Sequence, residues 1–264
     1  MGKLSKFPFH AAGDYSKRRS KNRATQYCIS SYAPSLQSLF QAWKSETLAT
    51  PSSAAKAALV KTNQGKHSRS ISNNLDTHFI SPETLRSRQS FLATIPRVDI
   101  LHLSCELVRN SGNYGASGLR LHDSDSMDDI YISNIETTLR EAVKASAGRP
   151  IIVFLEAASI NSLQDYGTFT MGDLLNKPSA PHIMMATGFG QIAGPLWYVD
   201  KGICHELQNE FYKILLSNQS DLAGYTGNDR VAYAVHAAVT GMLESHRRLW
   251  QEPCRWATFC HYGG

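Results

Sequence analysis

The sequence predicts an α/β domain in which a mainly parallel central sheet is flanked by helices on both faces. Short apolar, β-branched runs alternate with amphipathic segments of helical length, and parallel strands need crossovers of that kind. The runs "VDILHLS" and "IIVFLEAAS" show little polar alternation, which is typical of strands covered on both faces. With 264 residues, 42% of them hydrophobic and 19% charged, the chain is long enough for one large domain or two small ones.

The first part of the chain predicts strands and helices in alternation. "TQYCISSY" has the aromatic and β-branched residues of a strand, and "PSLQSLFQAW" follows as a helix with Ser35 as its N-cap. A loop rich in Ser, Ala, Asn and Lys covers residues 44–78, with one short buried strand near "AALV". "SPETLRSRQSFLATI" predicts the next helix, because Ser81 suits the N-cap and Pro82 the first helical position.

The second part begins with the strand "VDILHLS" and, after a loop rich in Gly and Asn, the shorter strand "LRLHD". "NIETTLREAVKASAG" predicts a helix that leads into the strand "IIVFLEAAS". "HIMMATGFGQIAGPLWYVD" is ambiguous at its start and is expected to end as a strand through Leu196 and Val199. Two amphipathic helices, over residues 204–216 and 230–250, precede a final strand in "RWATFCHYG".

Composition favours a protein that works in the cytoplasm or the nucleus. The net charge is +5, but the basic excess lies mainly in the first 25 residues and in residues 56–88, where it is interpreted as loop charge. Nucleic-acid binding through these segments is the weakest of the functions considered, since no basic helix interleaved with aromatics accompanies them. Five irregularly spaced cysteines without an export signal predict reduced thiols, and no apolar run is long enough to span a membrane.

Candidate chemistry lies at the ends of the two strongest strands, where α/β sheets bind their ligands. Side chains alternate along a strand, so His102 and Cys105 are expected on opposite faces and cannot form a dyad. His102 is therefore interpreted as a core histidine bonded to a neighbour, and Cys105 as a small buried residue. Glu106 and Glu156 could form a carboxylate pair, although strand ends that emerge into water often carry such residues.

No metal or cofactor is expected from the motifs. The histidines and cysteines are scattered without zinc-ligand spacing. "GFGQIAG" resembles a dinucleotide fingerprint, but the residues after it predict a strand where that fingerprint requires a helix.

Several blocks resemble, in order, those of CHAT domains, the caspase-like peptidase relatives of separase. The most specific are "FPFHAAGDY", "SSYAPSL", "LWYVD" followed by a helix, and "WATF" in the last strand; the likeness runs from about Gly2 to Tyr262. The resemblance implies a single domain over residues 1–264 with a caspase-like fold of clan CD. In this fold a catalytic His follows one central strand and a catalytic Cys follows the next. The resemblance also implies that further chain precedes the first block, so the domain is expected to be truncated at its N-terminus or to need a partner there.

The resemblance places both catalytic positions on other residue types. Family blocks such as "HFACHG" and "VVLSAC" put the His position on Glu106, the following Gly on Leu107 and the Cys position on Ala157. Ser159 lies two residues beyond the Cys position. In the family, the "LWYVD" block borders the substrate groove, so Trp197 and Asp200 are candidate groove residues; the alternative is that Trp197 fills the core and Asp200 caps a helix.

Two functions follow from the resemblance. The first is a catalytically inactive caspase-like domain that binds a protein or peptide partner, without a cofactor and away from membranes. The second is an active cysteine endopeptidase or hydrolase that uses displaced groups such as Cys105, Cys204 or Ser159, or a metal held by Glu106 and Glu156.

Overall fold

In the computed structural model of the chain, the described part comprises the following segments. They are residues 8–16, 21–33, 35–37, 39–40, 57–61, 92–95, 98–108, 118–120, 130–131, 140–141, 143–144, 151–160, 180–196, 201–217, 225, 228–246 and 248–263.

Eight strands in this part of the chain form one mixed sheet. They are β1 Ser31–Tyr32, β2 Ala57–Lys61, β3 Ile100–Val108, β4 Gly118–Arg120, β5 Ile130–Tyr131, β6 Ile152–Ile160, β7 Gln191–Pro195 and β8 Phe259–Gly263. The order is β1-β8-β7-β6-β3-β4-β5, and β2 also pairs with β3. The neighbours β2, β3, β6 and β7 are parallel, whereas β8 is antiparallel to β7, and β4 is antiparallel to both β3 and β5.

Helices cover both faces of the sheet, as expected. The helices with described bounds are α1 Ala180–Thr187, α2 Lys201–Leu215, α3 Asn228–Ser245 and α4 Pro253–Trp256. One hydrophobic cluster packs α2 and α3 against Ile152 and Phe154 of β6. A second cluster packs α1 against Val153 and Leu155 on the opposite face. These contacts confirm an α/β fold with a mainly parallel centre.

The central strands are buried on both sides because their apolar runs have no polar face. Ile100 and Leu101 of β3 point to opposite faces, as do Val153 and Phe154 of β6, and all four are 0% exposed. The short strand near "AALV" is also confirmed, since β2 pairs in parallel with β3 from Ala57↔Ile100 onward.

Three predicted elements end elsewhere in the structure. In "TQYCISSY" only β1 is a strand, because Ala24–Gln26 forms a 3-10 turn after a bridge between Gly13 and Arg23. The strand expected to run through Leu196 and Val199 stops at Pro195; Val199 lies outside the described residues. The helix predicted over 230–250 ends at Ser245, since the chain turns into Leu249–Gln251 and buries Leu249 and Trp250.

Candidate functional site at the ends of the central strands

Strands β3 and β6 bring the two predicted catalytic positions next to each other. In their parallel register, Cys105 lies opposite Ala157 and Glu106 lies opposite Ala158, with an irregularity immediately after Glu106. Neighbouring strands are about 5 Å apart, so the backbone at Glu106 is close to the backbone at both alanines. The two strand ends therefore lie side by side at the carboxyl end of the parallel sheet, where the sequence places them.

A buried polar cluster lies just below these strand ends. His102 of β3 is 2% exposed, and its Nδ1 is 2.8 Å from the hydroxyl oxygen of Tyr212 on α2. Its ring stacks on Phe154 of β6 at a centroid distance of 5.1 Å and an interplanar angle of 11°. On the other side, His102 Nε2 is 3.6 Å from a carboxylate oxygen of Glu156, longer than a hydrogen bond. The structure confirms that His102 is a core histidine bonded to a neighbour.

Burial determines the protonation state of Tyr212 in this cluster. Burial raises the pKa of Tyr212 well above its usual value, and the negative charge of Glu156 raises it further. Tyr212 is therefore protonated at neutral pH, and its hydroxyl shares one hydrogen bond with His102 Nδ1. The imidazole lies between a buried phenol and a carboxylate, and neither of these is a thiol.

The described thiols are in different environments. Cys204 on α2 is 4% exposed within the α2–α3 core, whereas Cys28 is exposed. The Cys260 thiol donates to the carbonyl oxygen of Thr258 at 3.4 Å, and burial raises its pKa to about 12. A buried thiol with a raised pKa is a poor source of thiolate. Cys204 and Cys260 therefore have the properties of core residues.

Two other histidines are also structural. His10 Nδ1 is 2.8 Å from the Tyr32 hydroxyl, and burial lowers the pKa of His10 to about 4. His261 lies between Ser31 and Gln191, at 2.8 and 2.6 Å from their side-chain oxygens, and burial lowers its pKa to about 3. Both rings therefore remain neutral in the folded chain at neutral pH.

The structure describes the remaining site candidates to different extents. Ser159 is a β6 residue two positions beyond Ala157, whereas Trp197 and Asp200 lie outside the described residues. Within the described segments, no group of three or more His, Cys, Asp or Glu residues could hold a metal ion. No helix among these segments has the length and apolar character needed to cross a bilayer.

Sequence reasoning missed Tyr212 as a partner of His102. The two residues are 110 positions apart, and α2 shows only the spacing of an amphipathic helix. A buried histidine needs a partner for its ring nitrogens, but that requirement does not indicate which helix supplies it.

The mainly parallel sheet with helices on both faces, and two central strands that end side by side, define a caspase-like α/β domain. The family model for the CHAT domain matches residues 1–264, the whole chain. The chain therefore belongs to the CHAT domain family, as its sequence blocks predicted. No curated protein matches the sequence significantly.

Proposed function

We propose that this CHAT domain is catalytically inactive and binds a peptide or protein segment at the carboxyl ends of β3 and β6. The observation that carries the proposal is the register of these strands, which puts Glu106 beside Ala157 and Ala158. The resemblance assigns a histidine and a cysteine to such neighbouring positions, and this chain has a glutamate and alanines there.

The chemistry of peptide cleavage supports this proposal. A cysteine peptidase needs a thiolate to attack the carbonyl carbon and an imidazole to give a proton to the leaving amine. Alanine has no nucleophilic atom, and a glutamate near its ordinary pKa is a poor acid for an amine at neutral pH. Residues of a catalytic unit act together, so the loss of either one removes most of the rate.

Nearby groups do not offer a simple replacement. His102 is the described histidine on these two strands, and its Nδ1 contacts the buried hydroxyl of Tyr212. Cys204 is in the core of the α2 layer. Both residues contribute to packing, which favours a retained scaffold over a relocated active site.

The residues near the ends of β3 and β6 also indicate what kind of partner would bind there. A peptide could lie along the strand ends, with Trp197, Asp200 and Ser159 as groove residues and Asp200 paired with an arginine of the partner. The irregular spacing of the cysteines favours reduced thiols, and therefore the cytoplasm or the nucleus as the place of this interaction.

One observation favours the second candidate, a hydrolase that uses a displaced thiol. Cys105 is the register partner of Ala157, so a cysteine does occupy the strand next to the predicted Cys position. This candidate predicts that wild-type protein cleaves peptides and that Cys105→Ala abolishes cleavage while peptide binding persists.

The test combines binding and cleavage on a peptide library with arginine, lysine or neutral residues at its centre. Wild-type protein is expected to bind a subset of peptides saturably and to cleave none. Glu106→His combined with Ala157→Cys, and separately with Ala158→Cys, should introduce slow cleavage of the bound subset. The matched controls are the three single variants, each with an incomplete dyad. Cleavage by the wild type, or failure to bind any peptide, would refute the proposal.

A further inference from the structure

A second candidate binding site lies beside the strand ends, in a pocket between the start of α2, the residues that follow α3, and α4. Its volume is about 410 Å³. Chain connections place it at the carboxyl end of the parallel sheet. Helix α2 begins six residues after Pro195, the last residue of β7, and β8 begins at Phe259, which is opposite Pro195. We call this site the α2 pocket.

The α2 pocket combines an apolar floor with charged walls. Ile203 of α2 and Leu249, at 7% and 6% exposure, supply buried apolar surface. The acidic residues are Glu206 on α2 and Glu252 at the start of α4, and both are partly exposed. An apolar floor with a few charged groups around it is typical of sites for small ligands and peptide side chains.

Both carboxylates of the pocket already have partners within its walls. A Glu206 oxygen is 2.6 Å from Nε2 of His246, which joins α2 to the end of α3. A Glu252 oxygen is 2.7 Å from a guanidinium nitrogen of Arg255. These pairs are about half exposed, so each contributes little to stability, but each holds a carboxylate in a fixed place.

The third basic side chain of the α2 pocket, beside His246 and Arg255, is Arg248. It is exposed, lines the pocket beside Leu249, and has no acidic partner among the residues that the structure describes. A guanidinium group presents parallel N–H donors that match a planar carboxylate. A single unmatched guanidinium near two glutamates suits a monoanion better than a phosphate, since a dianion would be repelled by both carboxylates.

We propose that the α2 pocket binds a carboxylate that has an apolar group next to it, with Arg248 pairing with the carboxylate and Ile203 and Leu249 contacting the apolar group. An acidic peptide side chain and a free peptide C-terminus both supply this chemistry. The ligand class follows from the pocket alone, so the inference does not depend on whether the strand ends are catalytically inactive.

The test uses full-length protein and capped dipeptides, with binding followed by backbone amide chemical shifts and the Trp250 indole signal. N-acetyl-Ala-Leu with a free carboxylate is compared with its amide, and N-acetyl-Leu-Asp-amide tests an internal acid. Both acids are expected to bind about tenfold more tightly than the neutral amide, the size of one charge-assisted hydrogen-bonded pair. Shifts should be concentrated at Gly202, Ile203 and the residues around Leu249.

Three substitutions test whether Arg248 is the side chain that binds the carboxylate. Arg248→Gln should reduce the acid-to-amide affinity ratio to about one or two, because it removes the charged donor while the apolar floor remains. Glu206→Gln should raise acid binding about twofold or more by removing a nearby negative charge. Lys213→Gln is the matched control: Lys213 is an exposed cation near the other end of α2, paired with Glu210, and its loss should leave the ratio unchanged.

Equal affinity for acid and amide, or an unchanged ratio in Arg248→Gln, would overturn the inference. Equal affinity for acid and amide, combined with library binding at the strand ends, would overturn this inference alone and would leave the proposed function intact. Acid binding in the α2 pocket combined with no library binding at the strand ends would refute the proposed function alone.

Discussion

Replacing Tyr212 by Phe is expected to destabilise the fold by more than the loss of one oxygen suggests. Tyr212 is 1% exposed and His102 is 2% exposed, so no solvent reaches His102 Nδ1 once the hydroxyl at 2.8 Å is gone. A buried polar atom left without a partner costs about 1–3 kcal/mol. Because burial here is nearly complete, we expect a loss of about 2 kcal/mol in the free energy of unfolding.

A double-mutant cycle separates this hydrogen bond from packing. His102→Phe keeps a ring stacked on Phe154 but leaves the Tyr212 hydroxyl without its partner. Combining His102→Phe with Tyr212→Phe removes both polar groups. The double variant should therefore lose less stability than the two single variants added together, by about 1–2 kcal/mol. Urea unfolding followed by far-UV circular dichroism measures these values, provided the m-values agree.

Tyr233→Phe is the control for this cycle. Tyr233 on α3 is half-buried and stacks on Tyr225 at 4.5 Å, a contact that Phe retains. Its substitution is expected to change stability by no more than about 0.5 kcal/mol. If Tyr212→Phe costs no more than Tyr233→Phe and the coupling with His102→Phe is near zero, the reasoning about the buried cluster is wrong.

Three further predictions concern stability and thiol reactivity. Burial lowers the pKa of His261 from 6.5 to about 3, so this ring binds a proton in the unfolded chain but not in the folded chain, and it should account for about 2 kcal/mol of the stability lost from pH 7 to pH 5, in addition to the loss due to His10. If the His261 ring were solvated, chemical unfolding of the wild type and of His261→Gln would show equal losses between these pH values. Gly263→Ala would place a Cβ 2.7 Å from a backbone oxygen and should lower the stability of the fold by about 1–3 kcal/mol, whereas the Cβ of Gly241→Ala in α3 meets nothing within 4 Å and should raise it by about 0.5–1 kcal/mol. Thermal melts that rank the two variants in the opposite order would contradict this packing. Iodoacetamide should alkylate the exposed Cys28 in the native state and Cys260 only after unfolding, which peptide mass spectrometry measures; equal native rates would contradict the burial of Cys260.

Much of the fold can be predicted from the sequence because the central strands have no polar face. Continuous apolar runs at "VDILHLS" and "IIVFLEAAS" can only be covered on both sides, which requires helices in two layers and predicts a parallel centre. The adjacency of these strands follows from the family resemblance, and the register Glu106↔Ala158 adds the detail that the resemblance lacks.

Features that depend on distant contacts were beyond sequence reasoning. The partner of His102 comes from α2, and the α2 pocket joins residues 202–206 with residues 246–255. The antiparallel strand β4 beside the last residues of β3 was expected as a strand, but its direction is set by the sheet and not by its own three residues. Local spacing cannot specify such pairings, because they form between segments that are each compatible with several neighbours.

A thiol-directed electrophile attached to a library of binding peptides tests the central claim most directly. Intact-mass measurement of the folded protein after exposure should show no stoichiometric labelling that depends on the peptide, because in the proposed function the two catalytic positions are occupied by Glu106 and Ala157, which have no sulfur atom. Rapid labelling of one cysteine, together with peptide cleavage that disappears when that cysteine is replaced, would contradict the account.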